Sequence, residues 1–383
     1  MKRTSILTAF LICVSTRAIA STPMAPGHLY ANGISARNIA AIQHSVTTRA
    51  FQSFEGSAAA ALGTRAELGR FAPISHTAPA RQNAVTQPSA DASKLYGRAP
   101  VYGTMKPYGE WNDDGTVTRG RSGGDVVALP VLNSAWTDWQ HYGDDVKYNH
   151  FDRLDTDYDL IMLGVAGGRA MWHNGVSEWG VYTGYVGGSQ ENKFIDMKQD
   201  GGYVGLYGGY SYRQFNLNTS LHVGALSNRA ENKFGTDEFS NMWAGGAINA
   251  TYNIAIDDTF TLQPGVYAAY TWIKSANYTA DSGHKIENDN FNTYEITPGI
   301  RAIKQVADSW FATATVKYVF SYENGGKMSV NGTKISELDG KNYSEYGLGI
   351  EKSINRFNIA LNLGRRDGGR TGWHGGIGMK YIF

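Results

Sequence analysis

The sequence predicts an all-β fold: a closed antiparallel up-and-down transmembrane β-barrel of about 12 strands over residues 131–383, preceded by a short N-terminal helical and linker region. Three observations lead there. From residue 131 onward, segment after segment alternates apolar and polar residues at period two, the signature of a strand with two unlike faces. The connections between those segments alternate between short and long. The final segment places Trp373, Ile377, Met379, Tyr381 and Phe383 on one face, with Gly375 among them, and His374, Gly376, Gly378 and Lys380 on the other.

Composition excludes several alternatives. Charged residues make up 18% of the 383, below a typical soluble domain, while 46 glycines and 23 tyrosines are high. Mean hydropathy is −0.35, and no apolar run beyond the N-terminus approaches the ~20 residues a spanning helix needs. A barrel escapes that test because every second residue faces water, so the mean stays polar while the outer face is apolar. A net charge of +1 gives no electrostatic case for nucleic acid.

The elements follow in order. Residues 1–20 read as a secretory signal: Lys2 and Arg3, an apolar run from Ile6 to Val14, and a small-x-small site at Ala18-Ile19-Ala20. Cys13 lies in that run and leaves with it. It follows Ile12 rather than a small residue, which argues against lipidation. The mature chain then has neither disulfides nor a thiolate metal site. Residues 33–55 carry Ile39, Ile42, Val46, Ala50 and Phe54 at helical spacing. The Ala-rich run from Ser57 to Gly69 extends this to a candidate lumen helix over 33–70, or else the segment is weakly amphipathic and unfolded without a partner. Pro73, Pro79 and Pro88 mark 72–95 as a linker. Residues 98–129 stay open between a hairpin, a lumen insert and an exposed loop.

Strands are expected near 131–142, 157–170, 177–188, 201–213, 214–227, 240–256, 258–273, 291–304, 308–323, 342–354, 355–364 and 373–383. Short connections fall at His173-Asn174-Gly175, Arg213-Gln214, Asp257-Asp258, Val306-Ala307 and Asn355-Arg356. Long polar ones fall at 143–156, 189–200, 228–239, 274–290, 324–341 and 365–372. A soluble sandwich also alternates its faces, but it has no reason to sort loops by length. An outer-membrane barrel does, with short periplasmic turns and long outer loops. In hydrocarbon every backbone amide needs a protein partner, so the sheet must close. Pro264 and Pro298 are expected near a rim or bulge, and Trp243, Trp272, Trp310 and Trp373 in the interfacial girdles.

The stretch Gly201-Gly202-Tyr203-Val204-Gly205-Leu206-Tyr207-Gly208-Gly209-Tyr210 resembles a strand of autotransporter β-domains. So do Leu262 to Trp272, Tyr346-Gly347-Leu348-Gly349-Ile350 and the terminal Gly372-Trp373 through Phe383. The resemblance spans about residues 131–383 and implies a twelve-stranded barrel. It further implies outer-membrane insertion by an assembly machinery that reads the last strand (Trp373, Ile377, Met379, Tyr381, Phe383), and a helix threading the pore. The candidate helix departs from the family pattern by lying seventy-odd residues before the first strand, and 21–130 show no β-helix repeat that would form a large passenger.

No chemistry-bearing constellation emerges. There is no nucleophile elbow, zincin motif or phosphate loop, so no catalytic, cofactor or metal residues are expected. Asp152, Asp155, Asp157 and Asp159 read as a solvated loop rather than a cation cage. Arg365, Arg366, Asp367 and Arg370 read as an outer loop, solvated or in contact with anionic headgroups. Lys317, Lys380 and His374 are expected to face the lumen. The expected partners are outer-membrane lipid and lipopolysaccharide, the assembly machinery and an extracellular ligand of the long loops. The expected function is an autotransporter-like barrel that holds or exports a short N-terminal segment. The alternative is a standalone structural or adhesive surface barrel, or a passive pore.

Overall fold

A computed structural model of the chain describes residues 26–54 and 132–383, apart from 149–152, 173–174, 233–234 and 336–339. The expected signal 1–20, the linker 72–95, the segment 98–129 and any helix beyond residue 54 lie outside the described residues.

Twelve long strands form the wall: β1 Leu132–Val146, β2 Leu154–Trp172, β3 Gly175–Asn192, β4 Ile195–Tyr212, β5 Phe215–Asn232, β6 Gly235–Tyr252, β7 Phe260–Lys274, β8 Phe291–Ala307, β9 Trp310–Gly325, β10 Tyr343–Ile354, β11 Phe357–Gly368 and β12 Arg370–Ile382. Each pairs antiparallel with its neighbour in sequence, and β1 pairs with β12 from Ser134↔Ile382 to Val146↔Arg370, which closes the sheet. The expected fold class and all twelve expected strands are present. The outward face bares Leu163, Leu206, Leu221, Tyr322, Leu348 and Leu363, each more than half exposed. In water such a continuous apolar surface is untenable; in a bilayer it is the lipid-facing band.

Strand length corrects the loop reading. Residues 189–200, 228–239 and 365–372 are not long loops. They are paired strand ends joined by tight connections. The 18-residue β3 to β6 run about 60 Å, and at a tilt near 40° they stand roughly 20 Å taller than a ~25 Å apolar band. The polar sequence there is wall above the membrane, its backbone satisfied by pairing. Across its outer face Asp145, Asp155, Glu191, Asp196 and Glu231 lie directly opposite one another on successive strands.

Two further expectations change. Trp243 is 2% exposed and points into the lumen, because it shares the parity of Ala247 and Asn249 rather than of the outward Ile248. Pro298 sits neither at a rim nor at a bulge, whereas Pro264 stands beside the end of β6, four residues from the start of β7. Pairing of β8 with β9 lapses over Thr297-Pro298 with its register unchanged, and pairing of β6 with β7 stops at Gly265, one residue short of Pro264.

Of 143–156, residues 143–146 and 154–156 are likewise paired strand ends, and the long connections over 274–290 and 324–341 fold together. Residues 278–279, 285–288, 328–330 and 333–335 form a four-stranded sheet at the loop end. Its inner side packs Ala280, Ile286 and Val330 with Tyr278, whose ring stacks on Phe239 of β6 at 4.9 Å. On its outer side the Lys285 ammonium bonded to Glu287 holds that carboxyl below the usual range.

Candidate functional site: the helix-filled lumen

Helix α1, Pro26–Phe54, occupies the barrel. Proline suits a first helical position, since its missing amide hydrogen is one the helix cannot use. From Ala31 to Phe51 nearly every residue is buried, polar and apolar alike, so the helix is enclosed on all sides rather than lying on one wall. Ile39, Ile42, Val46 and Ala50 join the main core with Trp136, Tyr142, Tyr158, Tyr182 and Tyr203 of the wall. The aromatic half of that lumen fits because glycines face it. A Cβ on Gly164 would come 2.2 Å from the Trp136 ring.

At the loop end Ala31 and Ile34 sit in an apolar collar of Val146, Tyr148, Leu154, Ile195, Met197 and Phe239. Beside them, Asn32, Ser35 and Asn38, three apart on one face, meet an amide network. Ser35 donates to Asn228 at 2.7 Å, Asn38 to Gln199 at 2.7 Å, and Asn241 to Asn32 at 2.8 Å. Gln199 and Asn228 are joined to each other at 2.7 Å. Buried amides without partners cost free energy; here wall and helix satisfy one another at every named group but the Asn38 Oδ1, which fixes the helix in rotation and depth.

Charge holds the helix from Arg37 to Arg49. Arg37 pairs with Glu323 at 2.9 Å, and His44 contacts Glu295. Arg49 donates to Gln140 of β1 at 2.8 Å and to Asn362 of β11 at 2.6 Å. Fully buried Arg366 of β11 donates to Asp144 of β1 at 2.6 Å and to Glu345 of β10 at 3.1 Å, and stands 4.6 Å over the Tyr142 ring.

These last contacts share a plan. Between β1 and β11 runs β12, and its register places Gly372 between Arg366 and Asp144, and Gly376 between Asn362 and Gln140. Side chains therefore clasp the first strand to the eleventh over a last strand that has none at those points. The seam that closes the barrel is held from inside, partly by the helix.

Lys317, Lys380 and His374 are placed on the lumen side. Lys317 lies 3.4 Å from Glu345, His374 stacks on Tyr142 at 5.2 Å, and Lys380 pairs across from buried Trp136. Lys317 and His374 thus meet at Glu345, His374 at 4.0 Å, and Lys380 lies apart beside Trp136. Trp373, Ile377, Met379 and Phe383 point outward, and Tyr381 contacts Phe357 at 4.7 Å. The expected outer-loop arginines divide: Arg365 lies outside, 5.5 Å over Trp373, while Arg366 and Arg370 are buried within. Asp144 and Asp145 divide in the same way. Strict alternation, carried two residues further than the apolar pattern, was the available signal for Asp144 and Arg366. No sequence signal pointed to Arg49.

The model for the autotransporter beta-domain matches residues 135–364. This chain belongs to the autotransporter β-domain family. Solved relatives agree in fold. The β-domain of the Bordetella autotransporter BrkA superposes with a TM-score of 0.56 at 15% identity, covering 66% of this chain and 99% of that one. The transport unit of AIDA-I from Escherichia coli gives 0.55 at 17%, covering 65% and 90%. The translocator domain of NalP from Neisseria meningitidis gives 0.53 at 13%, covering 66% and 89%. No curated protein matches the sequence. The autotransporter barrel is thus an outer-membrane structure of a family devoted to structure and transport.

Proposed function

We propose that this autotransporter barrel holds its own N-terminal segment across the outer membrane, with the start of α1 at the cell surface and its end toward the periplasm. The supporting observation is the helix's direction. Asn32 bonds Ala276 beside the long connections, whereas Phe51 packs on Ala247 and Tyr267, nearer the short turns. In this reading residues 1–20 are removed as a signal, and the long connections face outside. The sheet they form offers a surface for an extracellular ligand, with lipopolysaccharide around the wall. No catalytic step is assigned to it.

Cysteine labelling tests the orientation. Met24→Cys is expected to react with a membrane-impermeant maleimide on intact cells, and Ser57→Cys only after the outer membrane is permeabilised. The opposite pattern, or equal labelling of both, rejects the reading. The assembly role of the last strand rests on its outward row ending at Phe383. Phe383→Asp places a charge on that row and is expected to leave export across the inner membrane intact while the heat-modifiable folded band disappears. A normal folded band removes Phe383 from the assembly signal.

A further inference from the structure

Arg37, Ala41, His44, Thr48 and Gln52 recur at steps of four, three, four and four, so they share one face of α1. The closest packing of the helix is against β2 to β7. This face instead borders two cavities. The upper, of about 40 Å³, is lined by Arg37 and Ala41 with Tyr148, Glu295, Glu323 and Lys341. The lower, of about 90 Å³, is lined by His44, Thr48 and Gln52 with Thr297, Arg301 and Lys317. A polar cavity holds a water once it offers about 10–15 Å³, so both are roomy enough for water and the lower for several molecules. Glu295 belongs to the upper cavity and its partner His44 to the lower. Their side-chain contact joins the linings of the two.

We propose that these cavities form a water-filled ion path past the helix, and that the His44–Glu295 pair is its constriction. The upper cavity reaches the loop end at Lys341 and Tyr148, and the lower reaches toward the short turns at Thr251 and Gln263. The lower half carries two cations. Lys317 is compensated by Glu345 at 3.4 Å, while Arg301 has no carboxylate at salt-bridge distance among the described residues. An uncompensated cation in a narrow low-dielectric passage raises the local anion concentration and hinders cations. The path therefore prefers anions.

Single-channel recording of the full chain in planar bilayers under KCl tests this. The native protein is expected to pass a small steady current, and the His44→Ala/Glu295→Ala double variant a severalfold larger one. Arg301→Glu, away from the constriction, is expected to shift the reversal potential in a KCl gradient toward cation preference. Thr315→Trp fills the lower cavity from β9 and is expected to abolish the current in both the native and the double-variant background. If the larger current of the double variant survives Thr315→Trp, the helix has left the lumen, the pair is only an anchor, and the proposal fails. A double variant with native current, or an Arg301→Glu variant with an unchanged reversal potential, also overturns it.

Discussion

Arg366→Ala is expected to destabilise the folded barrel by about 3–5 kcal/mol, the cost of leaving a buried ion without its partner. Arg366 is 1% exposed and Asp144 1%. Removing the guanidinium strands the Asp144 carboxylate with only Arg370, at 3.6 Å, and leaves Glu345 to Lys317 and His374. It also takes away the cation over Tyr142 and releases the clasp between β11 and β1. The loss should appear as a lower temperature for conversion of the folded to the unfolded band on SDS gels, and as a lower urea midpoint in detergent. The double variant Arg366→Met/Asp144→Leu removes both charges and is expected to recover much of the loss, because apolar replacements carry no desolvation penalty. If the single variant melts with the native protein, the clasp contributes nothing to closure.

Gly372→Ala is expected to prevent normal closure of the barrel, whereas Gly347→Ala, also on the lumen side, is expected to be neutral. A Cβ on Gly372 would come 1.9 Å from the Gly143 carbonyl oxygen and 2.7 Å from the Asp144 Cα, both backbone of β1. Backbone cannot rotate aside as a side chain can, so the β1–β12 pairing itself must move. At Gly347 the nearest atom to such a Cβ is 3.8 Å away, an ordinary contact. The yield of heat-modifiable folded protein, measured side by side, separates the two. Equal yields would mean that the seam tolerates a side chain and that the glycine there has another cause.

Much of the barrel was legible because a wall strand obeys two local rules at once. Its side chains alternate strictly, and its outer set must be apolar wherever lipid touches it. Ile248 and Tyr252 against Ala247 and Asn249, or Phe357 and Leu361 against Asn358 and Asn362, announce both faces without any knowledge of neighbours. Where lipid ends, the second rule lapses. Strand tips such as 189–200 and 228–239 turn polar on both faces and read as loops, although their backbones remain paired. Trp243 and Arg366 misled for a related reason: their residue types suggested an interface and a loop, while their parity pointed to the lumen.

The sequence by itself therefore determined the strand count, the faces of the wall and the existence of a helix before it, since these follow from short-range periodicity. Tertiary structure alone decided that the helix lies in the lumen, that Asn32, Ser35 and Asn38 meet Asn241, Asn228 and Gln199, and that Arg49 and Arg366 clasp the seam over Gly376 and Gly372. Those contacts join residues from 91 to 313 positions apart, and each depends on the sheet first closing. The pattern within a segment is set by its own backbone, whereas a partner across the lumen is chosen by a geometry that exists only in the finished barrel.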